Sequence, residues 1–300
     1  MNAAAPTSLH AWAAAARPKT LGAIIGPCAI GAGIAFRDGT FDEVGLGVAI
    51  LGGLSIQLLT NLVNDLVDGV RGTDSHGRLG PARAVSSGWI SPRPVVIACL
   101  ALAIIAVACA FFLAHHRSTW FAPLALLSIA LALAYSAGPV PLSYSGAADP
   151  FALLFFGPVA CAATVAAQSG NWDNEGWWLG LGPGGLAVVL LAINNVRDAA
   201  SDAMSGKRTL AVRFGTWCGR MEVVAGLVLA GWVAVEAALG GSHVAWLAVL
   251  VIVLLGRTAW RIVAGLSGSP LNRELHLVGA GAAAYGLAMA IAVAVGGGGS

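Results

Sequence analysis

The sequence predicts an all-α, multi-pass membrane protein. Three observations lead there: apolar stretches long enough to cross a bilayer recur along the chain, charge is scarce, and the basic residues gather beside every second loop. Of 300 residues, 58% are hydrophobic and only 10% charged, with a mean hydropathy of +0.81. A soluble domain carries about 25% charged residues, so this surface could not be kept in water. A span needs about 20 mostly apolar residues to cross roughly 30 Å of hydrocarbon.

Nine stretches meet that requirement. The first, 20–36, is entered through Arg17-Pro18-Lys19, and its Gly22, Gly26, Gly31 and Gly33 read as close-packing positions. The second, 44–67, turns polar at its end. The third and fourth, 94–114 and 119–137, are clean Ala, Leu, Ile and Val, as is most of the fifth, 150–168. The sixth, 177–199, again ends in polar residues, and the last three lie at 221–239, 244–264 and 275–295. Residues 1–295 read as one membrane domain and 296–300 as a flexible Gly/Ser tail or linker. No cleavable signal peptide is expected, because the Ala-rich start runs straight into the first span.

Nine spans put the N-terminus and the 2–3, 4–5, 6–7 and 8–9 loops on one side. Fourteen of the 16 Lys and Arg residues fall there, with only Arg37 and Arg117 opposite. Positive charge marks the cytoplasmic face, so the expectation is a cell-membrane protein whose N-terminus and polar span ends are cytoplasmic. The five cysteines are scattered through apolar spans and read as small buried hydrophobes, not disulfides or a zinc site. Nothing resembles a nucleic-acid-binding segment, and no obligate protein partner is evident.

The chemistry gathers at two span ends. The second runs Gln57-Leu-Leu-Thr60-Asn61-Leu-Val-Asn64-Asp65-Leu-Val-Asp68, and the sixth Asn194-Asn195-Val-Arg197-Asp198-Ala-Ala-Ser201-Asp202. At about 100° per residue, Asn61, Asn64, Asp65 and Asp68 share an arc of roughly 100°, and so do Asn194, Asn195, Asp198 and Asp202. Each helix thus presents one polar stripe. Acids at helix C-termini oppose the macrodipole, and a carboxylate near lipid costs about 2.5–3.5 kcal/mol, so these need partners. Oxygen-only ligands suit a hard cation such as Mg²⁺.

Each cluster is followed by a basic, Gly-containing loop: Gly69-Val-Arg71-Gly-Thr-Asp74 with Arg78 and Arg83 after the first, Gly206-Lys207-Arg208-Thr209-Leu210 with Arg213 after the second. With 133 positions between Asp65 and Asp198, this looks like a divergent internal repeat. Acid bridged by metal, with Lys and Arg beside it, is the arrangement a polyphosphate requires. Intramembrane acids also mark ion paths, but a cation-coupled transporter would place them near the midplane with access from both sides.

At these residues the chain resembles the UbiA superfamily of intramembrane aromatic prenyltransferases. Asn64-Asp65-x-x-Asp68 with Asp74 is similar to its first aspartate motif and Asp198-x-x-x-Asp202 to its second. Ala16-Arg17-Pro18-Lys19-Thr20-Leu21, Ala134-Tyr135-Ser136-x-Gly138-Pro139, Phe155-Phe156-Gly157 and Gly206-Lys207-Arg208-Thr209-Leu210 resemble the menaquinone-pathway branch, whose acceptor is 1,4-dihydroxy-2-naphthoate. The likeness runs from about residue 16 to 215; the last three spans fit by hydropathy alone. Two departures are Leu66, where an aromatic is common, and Gly146-Ala-Ala-Asp149, in place of a Gly-x-Gly-acid turn.

The resemblance implies nine helices around a central cavity and Mg-dependent transfer of a prenyl group from a polyprenyl diphosphate. Asp65, Asp68, Asp198 and Asp202, with Asn61 and Asn64, would hold two Mg²⁺. Asp74, Arg78, Arg83, Asn195, Lys207 and Arg208 would bind the diphosphate. Tyr135 would join the four aspartates as a catalytic group by shielding the allylic cation. Gln57, Lys19 and Tyr144 would meet the acceptor, though Tyr144 and Lys19 also suit plain interfacial anchoring. In this branch the ring carbon attacked bears the carboxylate, which is then lost as CO₂. Related enzymes accept 4-hydroxybenzoate, homogentisate or a tetrapyrrole, and a few pocket residues make the choice.

Overall fold

Each expected span coincides with a helix or a pair of helices. The computed structural model describes residues 7–72, 79–80, 83–138 and 141–296, with the side chains of Lys19 and Thr20 left aside, and all regular structure among them is α-helical. After α1 (Ser8–Ala16), the first four spans are α2 (Pro18–Arg37), α3 (Glu43–Arg71), α4 (Pro92–His116) and α5 (Phe121–Ser136). A short α6 (Leu142–Ser145) precedes the fifth span, which is divided into α7 (Ala148–Phe155) and α8 (Pro158–Ser169). The sixth is divided into α9 (Asn174–Leu179) and α10 (Leu181–Met204). Then come α11 (Leu210–Arg213), α12 (Thr216–Leu239), α13 (Ala245–Val263) and α14 (Leu271–Gly296).

Among the described residues, seven elements are long and apolar enough to cross a membrane, Ala148–Ser169 and Asn174–Met204 each counting once. The pair α1 and α2, bent by 57°, makes an eighth. α5 has 16 residues and falls short of a full span. The expected count of nine is therefore approximate, and the chain's multi-pass membrane character rests on the rest of the set.

Small residues decide how closely these helices approach. α2 lies against α14, where a Cβ on Gly286 would come within 2.4 Å of the Cα of Gly26 and one on Gly33 within 2.4 Å of the Ala290 carbonyl. Gly31 is equally confined, 2.8 Å from Thr164 Cβ, but Gly22 has nothing within 4 Å and is not a packing position. The break of the fifth span has the same origin. A Cβ on Gly157 would meet the Gly180 carbonyl at 2.4 Å and Gly184 Cα at 2.7 Å, so the α7–α8 elbow rests directly on the α9–α10 elbow.

Charge is segregated to the two ends of the bundle. At one end Arg37 pairs with Asp38 and Glu175, and Arg117 with Asp42. At the other, the polar ends of α3 and α10 meet the loops and short helices that follow them. α13 and α14 are joined near that end by Glu274, fully buried, which accepts from Thr258 Oγ1 at 2.7 Å and pairs with Arg261.

The α2–α14 contact is testable. Gly286→Val should cost about 1–3 kcal/mol through overpacking, read as a lower thermal unfolding midpoint in detergent. Gly22→Ala should leave that midpoint unchanged or slightly raised.

Candidate functional site

The polar stripe of α3 is buried as its periodicity predicts. Asn61, Asn64, Asp65 and Asp68 all face inward, with 8, 5, 1 and 0% of their surface exposed. The helix ends just beyond them at Gly72, whose φ of +68° lets the chain turn back across the stripe. That return brings Arg83 to the cluster. Its guanidinium pairs with Asp68 Oδ2 at 2.9 Å and donates to Asn64 Oδ1 at 2.6 Å and to the Asn64 carbonyl at 2.9 Å. Asp65 Oδ2 accepts the Val85 amide at 3.0 Å and so pins the same loop.

Asp68 is the meeting point. Besides Arg83, its Oδ2 receives Lys207 Nζ at 3.2 Å and Asn64 Nδ2 at 3.3 Å, while Tyr144 Oη approaches Oδ1 at 3.5 Å. Lys207 also lies 3.7 Å from Asp202 Oδ1. One ammonium therefore sits between carboxylates from α3 and α10, two helices far apart in sequence. The loop carrying it is anchored twice, by the Lys207 amide on the Asp202 carbonyl and by the Arg208 amide on the Tyr144 carbonyl, each at 2.9 Å. Tyr144 is sandwiched electrostatically: Lys207 Nζ lies 5.4 Å and the Arg71 guanidinium 5.8 Å from its ring centroid.

The α10 half is less converged. Asp198 is held in a bidentate pair by Arg197 at 2.8 and 2.6 Å, and Arg197 also donates to Asn272 Oδ1 at 2.8 Å. Asn194 donates to the Leu190 carbonyl of its own helix at 2.9 Å, and Asn195 is buried. Arg208 is exposed, so its backbone and not its side chain makes the contact with the cap. Asp74, Arg78 and the Lys19 side chain lie outside the described residues. Tyr135 is half-buried, with Arg17, Asp149, Arg83 and Asp68 as its charged surroundings.

Gln57 belongs to a different surface. One turn and more below Asn61, it is part of the wall of an apolar cavity bounded by α2, α3, α4, α5, α7 and α8. This cavity holds about 790 Å³ of empty space, counting its open side, and its wall is largely small or aliphatic, including Ile24, Ala49, Gly52 and Gly53. Phe155 and Phe156, just before the Gly157 elbow, close part of it. The polar cluster and the cavity share α3, so one helix runs from charge to hydrocarbon.

Three groups at the site were not assigned a role from the sequence. Arg17 has a left-handed backbone (φ 52°, ψ 63°), the one non-glycine residue with positive φ among the described residues, and it precedes a proline. That conformation is sterically disfavoured there, yet it turns the guanidinium onto Asn64 Oδ1 at 2.6 Å. The Arg17-Pro18 string was the available signal. Ser136 accepts Asn64 Nδ2 at 2.8 Å, its signal being the Ala134-Tyr135-Ser136 string, and Asn272, which has no sequence signal, joins Arg197 to the Leu79 carbonyl at 3.1 Å.

Comparison with known proteins agrees with this geometry. The profile of the UbiA prenyltransferase family matches residues 24–273, most of the chain. The chain belongs to the UbiA prenyltransferase family. Among its relatives, a 1,4-dihydroxy-2-naphthoate octaprenyltransferase of Mycobacterium tuberculosis is 33% identical over 88% of this chain and 84% of its own length. The enzyme of that name from Escherichia coli is 35% identical over 69% of each chain. The fold matches that of a UbiA homolog from Archaeoglobus fulgidus, solved bound to DMAPP and Mg²⁺, with a TM-score of 0.67 at 17% identity over 93% of this chain and 99% of that one.

The donor set fits a hard divalent cation. The stripes offer carboxylate and amide oxygens only, which is Mg²⁺ chemistry. Among the described residues no three His, Cys, Asp or Glu side chains converge as a ready cage. Instead Lys207 holds positive charge in the space that Asp68 and Asp202 share. The UbiA-type stripe is thus assembled with its own cations inside it.

Because Asp68 is fully buried, Arg83→Ala should destabilise the protein strongly. Breaking a buried pair costs about 3–5 kcal/mol, and the residual Lys207 contact places the loss at the lower end. Adding Asp68→Asn to Arg83→Ala should recover part of the lost thermal stability.

Proposed function

We propose that this chain transfers a prenyl group from a polyprenyl diphosphate to 1,4-dihydroxy-2-naphthoate, with loss of CO₂, at the polar end of the bundle. The observation that carries the reading is Lys207, one cation shared by acids of α3 and α10 above an apolar cavity. Acid, base and hydrocarbon in that order suit a diphosphate with an isoprenoid tail. The choice of acceptor is supported by the relatives of that name at 33 and 35% identity.

Asp65, Asp68, Asp198 and Asp202, with Asn61 and Asn64, would hold Mg²⁺, and two ions suit two stripes. When bound, the metal neutralises the diphosphate and makes it a better leaving group. The Mg²⁺ bound with DMAPP in the A. fulgidus homolog supports Mg²⁺ use here. Arg83 and Lys207, with Arg78 from the segment between α3 and Arg83, would take up the outer phosphate oxygens, and Asp74 would bind the diphosphate only through the metal. Tyr135 and Tyr144, ringed by charge, would bound the reacting end of the prenyl chain and exclude water. Gln57 marks where the polar site gives way to the tail cavity, close to where an acceptor ring must lie, and Lys19 and Tyr144 are further acceptor contacts. The basic loops support a cytoplasmic site in a cell membrane.

Purified protein given radiolabelled geranylgeranyl diphosphate, Mg²⁺ and a panel of aromatic acceptors should prenylate dihydroxynaphthoate, with EDTA abolishing transfer. Transfer to no acceptor would sink the enzymatic reading; transfer only to 4-hydroxybenzoate or homogentisate would correct the acceptor. Asp68→Ala and Asp198→Ala should each lower turnover by about two orders of magnitude or more, in line with loss of electrostatic stabilisation at the leaving group, while eluting as folded protein.

The cavity gives a separate prediction. Gly52 lines the cavity, and a Cβ there would already meet Cys109 Cβ of α4 at 3.3 Å, so Gly52→Leu would crowd the α3–α4 wall and narrow the space the tail needs. Its kcat/KM should fall for geranylgeranyl diphosphate more than for geranyl diphosphate. An unchanged ratio of the two would mean the tail lies elsewhere.

A further inference from the structure

Asp149 is a buried acid that neither the metal nor the diphosphate reading uses. It is the second residue of α7, 7% exposed, and neither carboxylate oxygen has a hydrogen-bond partner among the described residues. Acids often sit in the first turn of a helix, where amides and dipole favour them, but then the oxygens are engaged. On the α12 side it interacts with another acid, Glu222, whose Oε2 is also buried and has no hydrogen-bond partner among the described residues; Arg220 lies on the same helix. A buried carboxyl left in this state costs free energy that calls for an explanation.

Its position supplies one. Asp149 follows the α6 cap by a few residues, and that cap is tied to the site through Tyr144 on Asp68 and on the Arg208 amide. Together with Asp68, Arg17 and Arg83 it forms the charged surroundings of Tyr135. The carboxyl thus follows closely on the cap tied to Asp68 and is an electrostatic neighbour of Tyr135, with Glu222 of α12 on its other side.

We propose that Asp149 binds the acceptor's ring hydroxyl and holds its proton during transfer. This rests on the prenyl-transfer reading above. The hydroxyl next to the attacked carbon gives its proton to Asp149, and the ring's electron pair forms the new C–C bond. The allylic C–O bond breaks and its pair leaves with the diphosphate. The ring carbon then carries both the prenyl group and the carboxylate beside a ketone, which is a β-keto acid. Loss of CO₂ returns the C–C pair to the ring as an enolate, and its oxygen recovers the proton from Asp149. The carboxyl ends as it began, and no co-reactant is needed. A side chain that accepts and returns one proton is better served by a site without a fixed partner than by an ion pair.

The test compares Asp149→Asn and Asp149→Glu with the unmodified protein. Turnover and KM are measured for dihydroxynaphthoate and for geranylgeranyl diphosphate separately, and farnesyl thiodiphosphate with Mg²⁺ is used to read donor binding by thermal shift. Asp149→Asn should lose about 10²–10⁴ in kcat, the usual worth of a general acid–base, with the thiodiphosphate shift intact and donor KM unchanged. Asp149→Glu should recover a measurable part. Activity of Asp149→Asn close to that of the unmodified protein overturns the proposal. So does joint loss of activity and thiodiphosphate binding, which would make Asp149 a packing residue. If the unmodified protein transfers nothing to dihydroxynaphthoate, the proposed function has failed instead.

Discussion

The ion pairs of Asp68 are what the polar end of this bundle is organised around, because a fully buried carboxylate cannot stand alone in surroundings that hydrate nothing. Arg83 reaches it from the loop after α3, Lys207 from the loop after α10, and Tyr144 from the cap before α7. Three connections that could otherwise lie anywhere on the membrane surface are thereby drawn over one point. The rest of the site is placed relative to them. Asn64, held by both Arg17 and Arg83, carries the order back to the α1–α2 bend, and Asp65 holds the Val85 amide.

Close helix approach sets the other half of the design. The glycine contacts of α2 with α14, and of the α7–α8 elbow with α9–α10, let backbones touch where side chains would hold them apart. Along the cavity, α3 carries Ala49, Gly52 and Gly53, and the two glycines face side chains there, Cys109 Cβ at 3.3 Å and Ile24 Cγ1 at 3.1 Å from a would-be Cβ, beside space left unfilled. The same residue type therefore closes one interface and opens another, and what differs is whether a second backbone lies opposite. In a bilayer, where hydrophobic burial does not draw helices together, such contacts carry much of the association.

That distinction also explains what the sequence revealed and what it concealed. Span positions and the inward stripe of α3 were legible, since each depends on residues near one another in sequence. Gly22 and Gly26 look alike in sequence, yet only Gly26 meets a partner, because α14 joins the bundle some 260 residues later. Asn272 escaped notice for the same reason: it lies in a region that fits by hydropathy alone, and its role is to bridge Arg197 and Leu79. The strain at Arg17 and the unpartnered oxygens of Asp149 are properties of coordinates, with no periodicity to announce them.

The site as folded is closed electrically, and that bears on how it meets a highly charged substrate. Opposite charges that must be stripped of water to come together normally lose much of their attraction to desolvation. Here that step accompanies folding: Asp68 already lies dry between Arg83 and Lys207, and Asp198 is already in the grip of Arg197. On the function proposed above, Asp68, Asp198 and Asp202 would hold the divalent cation and Lys207 would serve the phosphate, all within a space already desolvated. Basic residues at this end hold the acids in place in the folded protein, and on the proposed function the same residues would receive the anion. A site made of acids alone would have to be assembled against its own repulsion before any metal arrived.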